Sequence, residues 1–347
     1  MKKIIFVLLM VVASWCSASA YDLLEGGIAY DYAFGEMRVV HLDSYKGDIV
    51  IPAQVKYNGV MRSVTSIDSR TFDGTAVTSV RFPSTMRYVY DLAFNSCKQL
   101  KAVYLNEGLI FMGANMFKDS SLPSIEIPST VTKIRDHCFY NCDNLTSVVV
   151  PDNVIELGMC AFMECDKLES VKLSESLTEI SYCLLRDCPS LKTVVIPDNV
   201  TKIGGSCFDG SSLQELVIGK SVNFIDDLAL RFNNQPVIRM RCTIPPTASS
   251  QGLRTNTEIH VPKGSLAAYK THSYWGSFII IDDEPAPVAP GDVNGDGIVD
   301  ISDLNALINV VLGSESADKY EGRADVTGDG VVDISDINAV INIVLGK

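Results

Sequence analysis

The chain has little of what most enzymes are built around. Its four histidines, His41, His137, His260 and His272, stand apart, and none belongs to an H-E-x-x-H pair that would set zinc beside a general base. There is no G-x-S-x-G elbow and no P-loop, which removes the common serine-hydrolase and nucleotide-hydrolysing designs. Glycoside hydrolysis needs two carboxylates across a cleft; the one adjacent acidic pair of the central region, Asp226-Asp227, reads as solvated. Basic residues are few, 29 Lys and Arg against 42 Asp and Glu for a net charge of −13, so no basic face exists for nucleic acid. Beyond the N-terminus no apolar run approaches the roughly 20 residues that span a bilayer. The absences together predict a non-catalytic protein with no transmembrane segment and no nucleic-acid partner.

The N-terminus carries an export pattern. Met-Lys-Lys supplies the charge, Ile4 to Ala13 the apolar stretch, and Ala18-Ser-Ala20 the small-residue cleavage site, which predicts a signal peptide over 1–20 and a mature start at Tyr21. Trp15 before Cys16 is too bulky for lipoprotein processing. Nine of the ten cysteines follow this segment, an odd number that a fully paired disulfide framework cannot use.

Their placement has another logic, because the middle of the chain repeats every 22–23 residues. Leu122-Pro-Ser-Ile-Glu-Ile-Pro is answered by Leu145-Thr-Ser-Val-Val-Val-Pro, with further copies from Leu168 and Leu191 and weaker ones from Val77, Leu100 and Leu213. Each copy reads L-x-x-V-x-I-P-x-x-V-x-x-I, then Phe, then often Cys. The V-x-I alternation predicts a short strand with both apolar residues on one face. Pro ends the strand, and the Val and Ile three apart suit a turn or short 3-10 segment. One repeat buries too little to offset its own ordering, so neighbours must stack. Cys97, Cys142, Cys165 and Cys188 form a column of buried thiols, since Cys packs as a small hydrophobe; Cys138, Cys160, Cys183 and Cys207 fall next to the Phe position and read as core. Between the inward residues of the strands lie Arg81, Tyr104, Glu126, Val149, Lys172, Val195 and Val217, an outward row that is the candidate ligand face. A row of exposed aromatics would mark glycan binding, and this row offers only Tyr104.

The repeats resemble the BspA-type bacterial leucine-rich repeat. The resemblance implies a solenoid of short parallel strands with turns or 3-10 segments over 73–240. It implies an N-terminal cap over 21–72, with Gly47 to Pro52 as its strand, and a C-terminal cap over 241–282 that holds Cys242, Val261, Tyr269, Trp275 and Phe278. It also implies adhesion to extracellular proteins or cells.

After a Pro-rich linker, 283–290, the C-terminal region 291–347 holds eleven acidic and three basic residues and repeats at a 33-residue interval. From Gly291 and from Ala324 the copies agree at 17 of 23 positions. Loop positions 1, 3, 5, 9 and 12 are Asp292, Asn294, Asp296, Asp300 and Asp303, then Asp325, Thr327, Asp329, Asp333 and Asp336. Position 7, Ile298 or Val331, offers a backbone carbonyl, and Gly297 and Gly330 permit the sharp turn at position 6; oxygen donors at this spacing wrap calcium. Four carboxylates in one such loop repel one another by about 1 kcal/mol per pair in water and about 4 kcal/mol at an effective dielectric of 20 when roughly 4 Å apart, so a cation belongs between them. Leu304, Leu307, Ile308 and Val311, and Ile337, Val340, Ile341 and Val344, follow helical spacing. The prolines before the first loop exclude an entering helix, and Asp rather than Glu fills position 12.

A duplicated loop with an exiting helix and Asp at position 12 resembles a type I dockerin, a small all-α domain of two calcium loops (paired F-hands). The resemblance implies two calcium ions, pseudo-twofold symmetry and a calcium-dependent cohesin-type partner. That partner would touch Ile301, Ser302, Leu304 and Asn305 in one half and Ile334, Ser335, Ile337 and Asn338 in the other. Thr327 at position 3 is a poorer ligand than Asn294, so the second loop is expected to bind more weakly. The expected role is a secreted or cell-surface binding protein whose solenoid holds a protein or glycan and whose dockerin plugs it into an extracellular assembly. The alternative is an accessory subunit of a polysaccharide-degrading complex.

Overall fold

A computed structural model describes residues 21–249, 252–284, 290–294, 299, 301–320 and 322–345. The expected signal peptide, most of the linker, and Asp296, Ile298 and Asp300 lie outside the described residues. The repeats stack as coils of a solenoid, and the V-x-I segment of each coil adds a parallel strand to its neighbour. Lys46–Val50, Ala76–Arg81 and Ala102–Tyr104 form one sheet; Ser147–Val149, Ser170–Lys172, Thr193–Val195, Glu215–Ile218, Val237–Met240, Glu258–Pro262 and Ile279–Glu284 form a second. The alternation is as the sequence predicts: Val148 and Val150 are buried while Val149 is 58% exposed. The two sheets are separated by the coil of Pro123, where 124–126 form no strand. In the preceding coil Lys101 N donates to Thr78 O at 2.8 Å; Pro123 at the equivalent position has no N–H and the ladder loses that bond. Glu126 therefore lies outside any strand, contrary to the repeat pattern.

The segment expected as a turn or 3-10 piece is instead a second strand column. Tyr88–Val89, Phe111–Met112, Lys133–Ile134 and Glu156–Leu157 pair parallel, as do Glu179–Ile180, Lys202–Ile203, Phe224–Ile225 and Thr247–Ala248. Two residues per strand are too few to leave a period in the sequence, but stacking coils in register pairs their backbones all the same.

A ladder of phenylalanines fills the interior. Phe72, Phe94, Phe117, Phe139 and Phe162 are fully buried and stack coil upon coil with ring centroids 5.0–5.4 Å apart. Beside them, the thiols of Cys97, Cys142, Cys165 and Cys188 donate at 3.0–3.1 Å to the carbonyls of Phe72, Phe117, Phe139 and Phe162. All nine cysteines from Cys97 on are buried and free. Cys160 and Cys183 do not flank the Phe; they occupy a left-handed corner shared with Asn115, His137 and Ser206.

The residue after each two-residue strand alternates along the solenoid: Tyr90, Gly113, Arg135, Gly158, Ser181, Gly204, Asp226. The glycines sit where coils touch. A Cβ on Gly158 would lie 2.3 Å from Asp136 N, and one on Gly113 2.5 Å from Tyr90 C. This approach lets Asp91 and Asp136 accept from Ala114 N and Met159 N of the next coil.

Both ends are closed. The N-terminal cap opens on an antiparallel meander, Leu23–Glu25, Ile28–Ala33 and Glu36–Val39, and a hairpin of Gln54–Tyr57 with Val60–Ile67 joins it. At the far end helix α1, Leu266–Thr271, brings in buried Tyr269, whose hydroxyl donates to Cys242 O at 2.8 Å, and Trp275 Nε1 donates to Pro246 O at 2.7 Å. The C-terminal module has helices α2, Ile301–Val311, and α3, Ile334–Val344, and its own apolar cluster around Val293, Leu307 and Val340. No helix of the described residues is long and apolar enough to cross a membrane.

Two outcomes are expected of this packing. Gly158→Ala should destabilise the solenoid by about 1–3 kcal/mol, because the added methyl meets backbone that cannot retreat; an unchanged urea midpoint would refute the close approach. Burial pushes the thiols of Cys97, Cys142 and Cys188 up to about 12. A raised pKa keeps the folded thiol protonated while the unfolded one ionises near 9, so their contribution is intact below pH 9 and is lost as pH climbs towards 12, by about 1.4 kcal/mol per pH unit for each group. The melting temperature should fall over that range and fall less in the triple Cys→Ser variant; identical profiles would refute the thiol origin.

Candidate calcium module and ligand faces

The two loop–helix units are built alike. Position 12 falls in the first turn of each helix, and Asp303 and Asp336 are completely buried there. Each accepts from the backbone N–H of position 3: Asn294 N donates to Asp303 Oδ1 at 3.0 Å and Thr327 N to Asp336 Oδ1 at 2.9 Å. Burial raises the Asp336 pKa, but backbone donors at Asp333, Thr327 and Val326 together outweigh it and hold the carboxyl below its usual range. Asp325 at position 1 accepts from Gly328 N, Asp329 N and Gly330 N at 2.8–3.2 Å, so the backbone curls around its carboxylate. Asp333 caps α3 and accepts from Ser335 N at 2.7 Å.

The halves interlock. Gly291, at φ +93°, would place a Cβ 3.0 Å from Ile343 Cδ1 on α3, which explains glycine here where the second copy has Ala324. Arg323 Nε donates to Val293 O at 3.2 Å.

Calcium suits this donor set. Carboxylates are rarely buried unless paired or bound, yet Asp292, Asp303 and Asp336 are buried within the two loops, and the donors at positions 1, 3, 5, 9 and 12 are all hard oxygen ligands. Among the described residues no three acidic, His or Cys side chains converge as a metal cluster; in the second loop the carboxylates turn to backbone N–H groups instead. Of the expected ligands, Asp292, Asn294 and Asp303 of the first loop and Asp325, Thr327, Asp329, Val331, Asp333 and Asp336 of the second lie within the described residues.

On the helices, Ile301 and Ile334 are 65% and 64% exposed at equivalent positions. Asn305 and Asn338 are also exposed, and Ser302 and Ser335 half-buried. Leu304 and Ile337 pack against the module's apolar cluster, which leaves only part of each for a partner.

The solenoid has two outward faces. On the wider strand column Arg81 pairs with Tyr104, Val149 with Lys172 and Val195 with Val217, and the row extends to Val50, Arg239 and His260, which the repeat pattern does not reveal. Val149 and Val195 are exposed and Val217 half-buried. The Arg81 guanidinium lies 4.0 Å above the Tyr104 ring, and with Glu126 they line a cavity of about 290 Å³. Several charges of this face are already engaged: Lys172 with Asp152 at 3.9 Å, Arg239 with Glu215 at 2.5 Å, His260 with Asp283 at 2.7 Å. On the narrow column, Tyr88 and Tyr90 flank buried Val89 and stand exposed, next to half-buried Phe111. The alternation Tyr-Val-Tyr is the one sequence signal for them.

Residues 55–144 and 111–237, together more than half of the chain, match the BspA type leucine-rich repeat region, in six copies, and residues 290–345 match the dockerin type I domain. The chain belongs to the BspA-type leucine-rich repeat proteins and ends in a type I dockerin. Among solved structures it is similar to a leucine-rich repeat protein from Bacteroides ovatus, at 21% identity over 76% of each chain with a TM-score of 0.56. It is also similar to a leucine-rich cell surface protein from Faecalibacterium prausnitzii, at 20% identity over 78% of this chain and 87% of that one with a TM-score of 0.51. At these identities the likeness is one of fold. No curated protein matches the chain. Type I dockerins bind calcium and dock to cohesins.

Without a cation the paired carboxylates should keep the module from folding. Adding EGTA to the full-length protein should remove the helical signal of α2 and α3 from circular dichroism and leave the solenoid's signal in place. Identical spectra in EGTA and in calcium would refute the dependence.

Proposed function

We propose that the chain is a secreted, non-catalytic binding protein. Its solenoid holds an extracellular protein or glycan, and its dockerin docks it onto a cohesin-type domain in an extracellular assembly. Two calcium ions would be held, one by Asp292, Asn294, Asp296, Asp300, Asp303 and the carbonyl of Ile298, the other by Asp325, Thr327, Asp329, Asp333, Asp336 and the carbonyl of Val331. The observation that carries the reading is the duplication: each loop opens a helix that presents the same exposed isoleucine, Ile301 or Ile334, beside the same Ser and Asn. Ordering each loop by calcium would set these side chains at the helix start, so partner affinity depends on the ion. Two families of binding modules in one chain, with no catalytic constellation in the sequence, support a scaffold or adhesion role.

Immobilised full-length protein should retain a cohesin-type domain from the producing cell's surface and secreted proteins in calcium, and release it in EGTA. Asp292→Ala with Asp325→Ala should abolish retention and leave the solenoid's melting transition unchanged. Equal retention by the double variant would refute calcium-dependent docking. Loss of the solenoid transition would show that the two domains are coupled.

A further inference from the structure

The narrow strand column carries a groove lined by paired aromatic rings, Tyr88 and Tyr90. Registration of the strands places Arg38, Ser66, Tyr88, Phe111 and Lys133 in one cross-strand row. Tyr88 and Tyr90 lie with ring centroids 6.4 Å apart and planes within 15°, and Phe111 stands 6.4 Å further on, tilted by 54°. Two cavities meet at the tyrosines. One of about 310 Å³ is lined by Tyr88, Tyr90, Ile110, Phe111, Thr132 and Lys133. The other, about 380 Å³, runs from the tyrosines to the N-terminal cap and adds carboxylates, hydroxyls and a guanidinium, among them Glu36, Asp68, Ser69 and Arg38.

Phe34 closes the far rim. It is wholly exposed and stands at φ +53° before Gly35 at φ +94°, in the two-residue turn between strands Ile28–Ala33 and Glu36–Val39. Such turns favour Asn-Gly or Gly-Gly, and the cap's other two hairpins use them, Gly26-Gly27 at φ +60° and +81° and Asn58-Gly59 at φ +49° and +80°. A bulky residue in the left-handed region is strained, and an exposed ring gains nothing from burial. Folding alone does not account for Phe34.

We propose that this groove binds a neutral polysaccharide chain, with sugar rings stacked on Tyr88 and Tyr90 and their hydroxyls held at the polar end. The proposal rests on the reading of the solenoid as the ligand-holding part, and narrows it. A pyranose has apolar C–H faces and hydroxyl edges; a near-parallel aromatic pair beside a cluster of carboxylates and hydroxyls offers partners for both. Small-ligand sites of this kind are about 300–1,000 Å³, mostly apolar, with few polar groups that fix orientation. Arg38 reaches Asp31 at 3.4 Å and Asp68 at 3.3 Å, and its buried Nε has no partner in the fold. Acids outnumber bases at this end, which disfavours an anionic glycan. An extended peptide finds no free strand edge, because the backbone is already paired: Tyr90 N with Ile67 O, Ile110 N with Arg87 O, Thr132 N with Ile110 O.

Titrating full-length protein in calcium with cellohexaose, maltohexaose and xylohexaose tests this by calorimetry. At least one should bind, and Tyr88→Ala with Tyr90→Ala should weaken it at least about tenfold. Phe34→Gly, which relieves the turn and removes only an exposed ring, should weaken the same sugar without lowering the melting temperature. Binding to none of the three, or binding unchanged in both variants, overturns the proposal. Capture of an apolar peptide on the tyrosines, with no sugar bound, would assign the groove to protein and overturn it equally. Calcium-dependent docking is measured separately, so it can stand when the sugar site fails, and the reverse.

Discussion

The solenoid depends on one constraint: each coil must advance by a single strand spacing, about 4.8 Å. At that rise a residue in one coil lies against its equivalent in the next, and only side chains able to stack on copies of themselves fit inside. The Phe ladder meets this with centroids 5.0–5.4 Å apart. The same rise forces the glycines at 113, 158 and 204, where backbone meets backbone. It also makes cysteine useful as a small core residue whose thiol reaches the carbonyl one coil back. Ser120 and Ser211 take the thiol's place in two coils, buried as the cysteines are, so the position asks for a small donor rather than for sulfur chemistry.

The C-terminal module obeys a different constraint, electrostatic rather than steric. Eleven acidic residues sit in 291–347, and the apolar cluster of Val293, Leu307 and Val340 is small. Such a core cannot offset the repulsion of four carboxylates per loop. Where the structure describes the second loop, Asp325, Asp333 and Asp336 draw backbone N–H groups around themselves. Those contacts preform the loop's curvature and leave the carboxylates' remaining lone pairs for a cation. On the proposed reading, calcium would link the module's stability to its docking.

Sequence legibility followed the range of the interactions. The calcium loops were readable because donors at fixed spacing lie within twelve residues. The V-x-I strands and the cysteine column were readable because a solenoid turns three-dimensional neighbours into a period of 22–23 residues. The narrow strand column was not, since two residues such as Lys133–Ile134 carry no alternation. The gap between sheets was not read either: the repeat pattern places a strand at 124–126, and the missing N–H of Pro123 overrides it. The groove at Tyr88 was illegible for a deeper reason. Its walls come from a cap hairpin and from coils more than 50 residues later in the chain, from Phe34 to Tyr88, and nothing periodic connects them.

That difference bears on where function sits in a repeat protein. A surface made only of repeats offers nearly the same group at every coil; the wider face alternates Val with charges that Asp152, Glu215 and Asp283 already engage. Specific recognition needs unlike groups brought together, and the junction between cap and first coils is where the repeat ends and unlike segments meet. Phe34, Arg38, Tyr88 and Phe111 come from different structural contexts and converge there. A strained, exposed ring is tolerated at such a junction because the meander beneath it, anchored by buried Tyr30, Met37 and Val39, holds the turn against the strain. The opposite end of the chain carries the calcium module, so a ligand at the first coils and a partner at the last helices would engage different segments and need not compete.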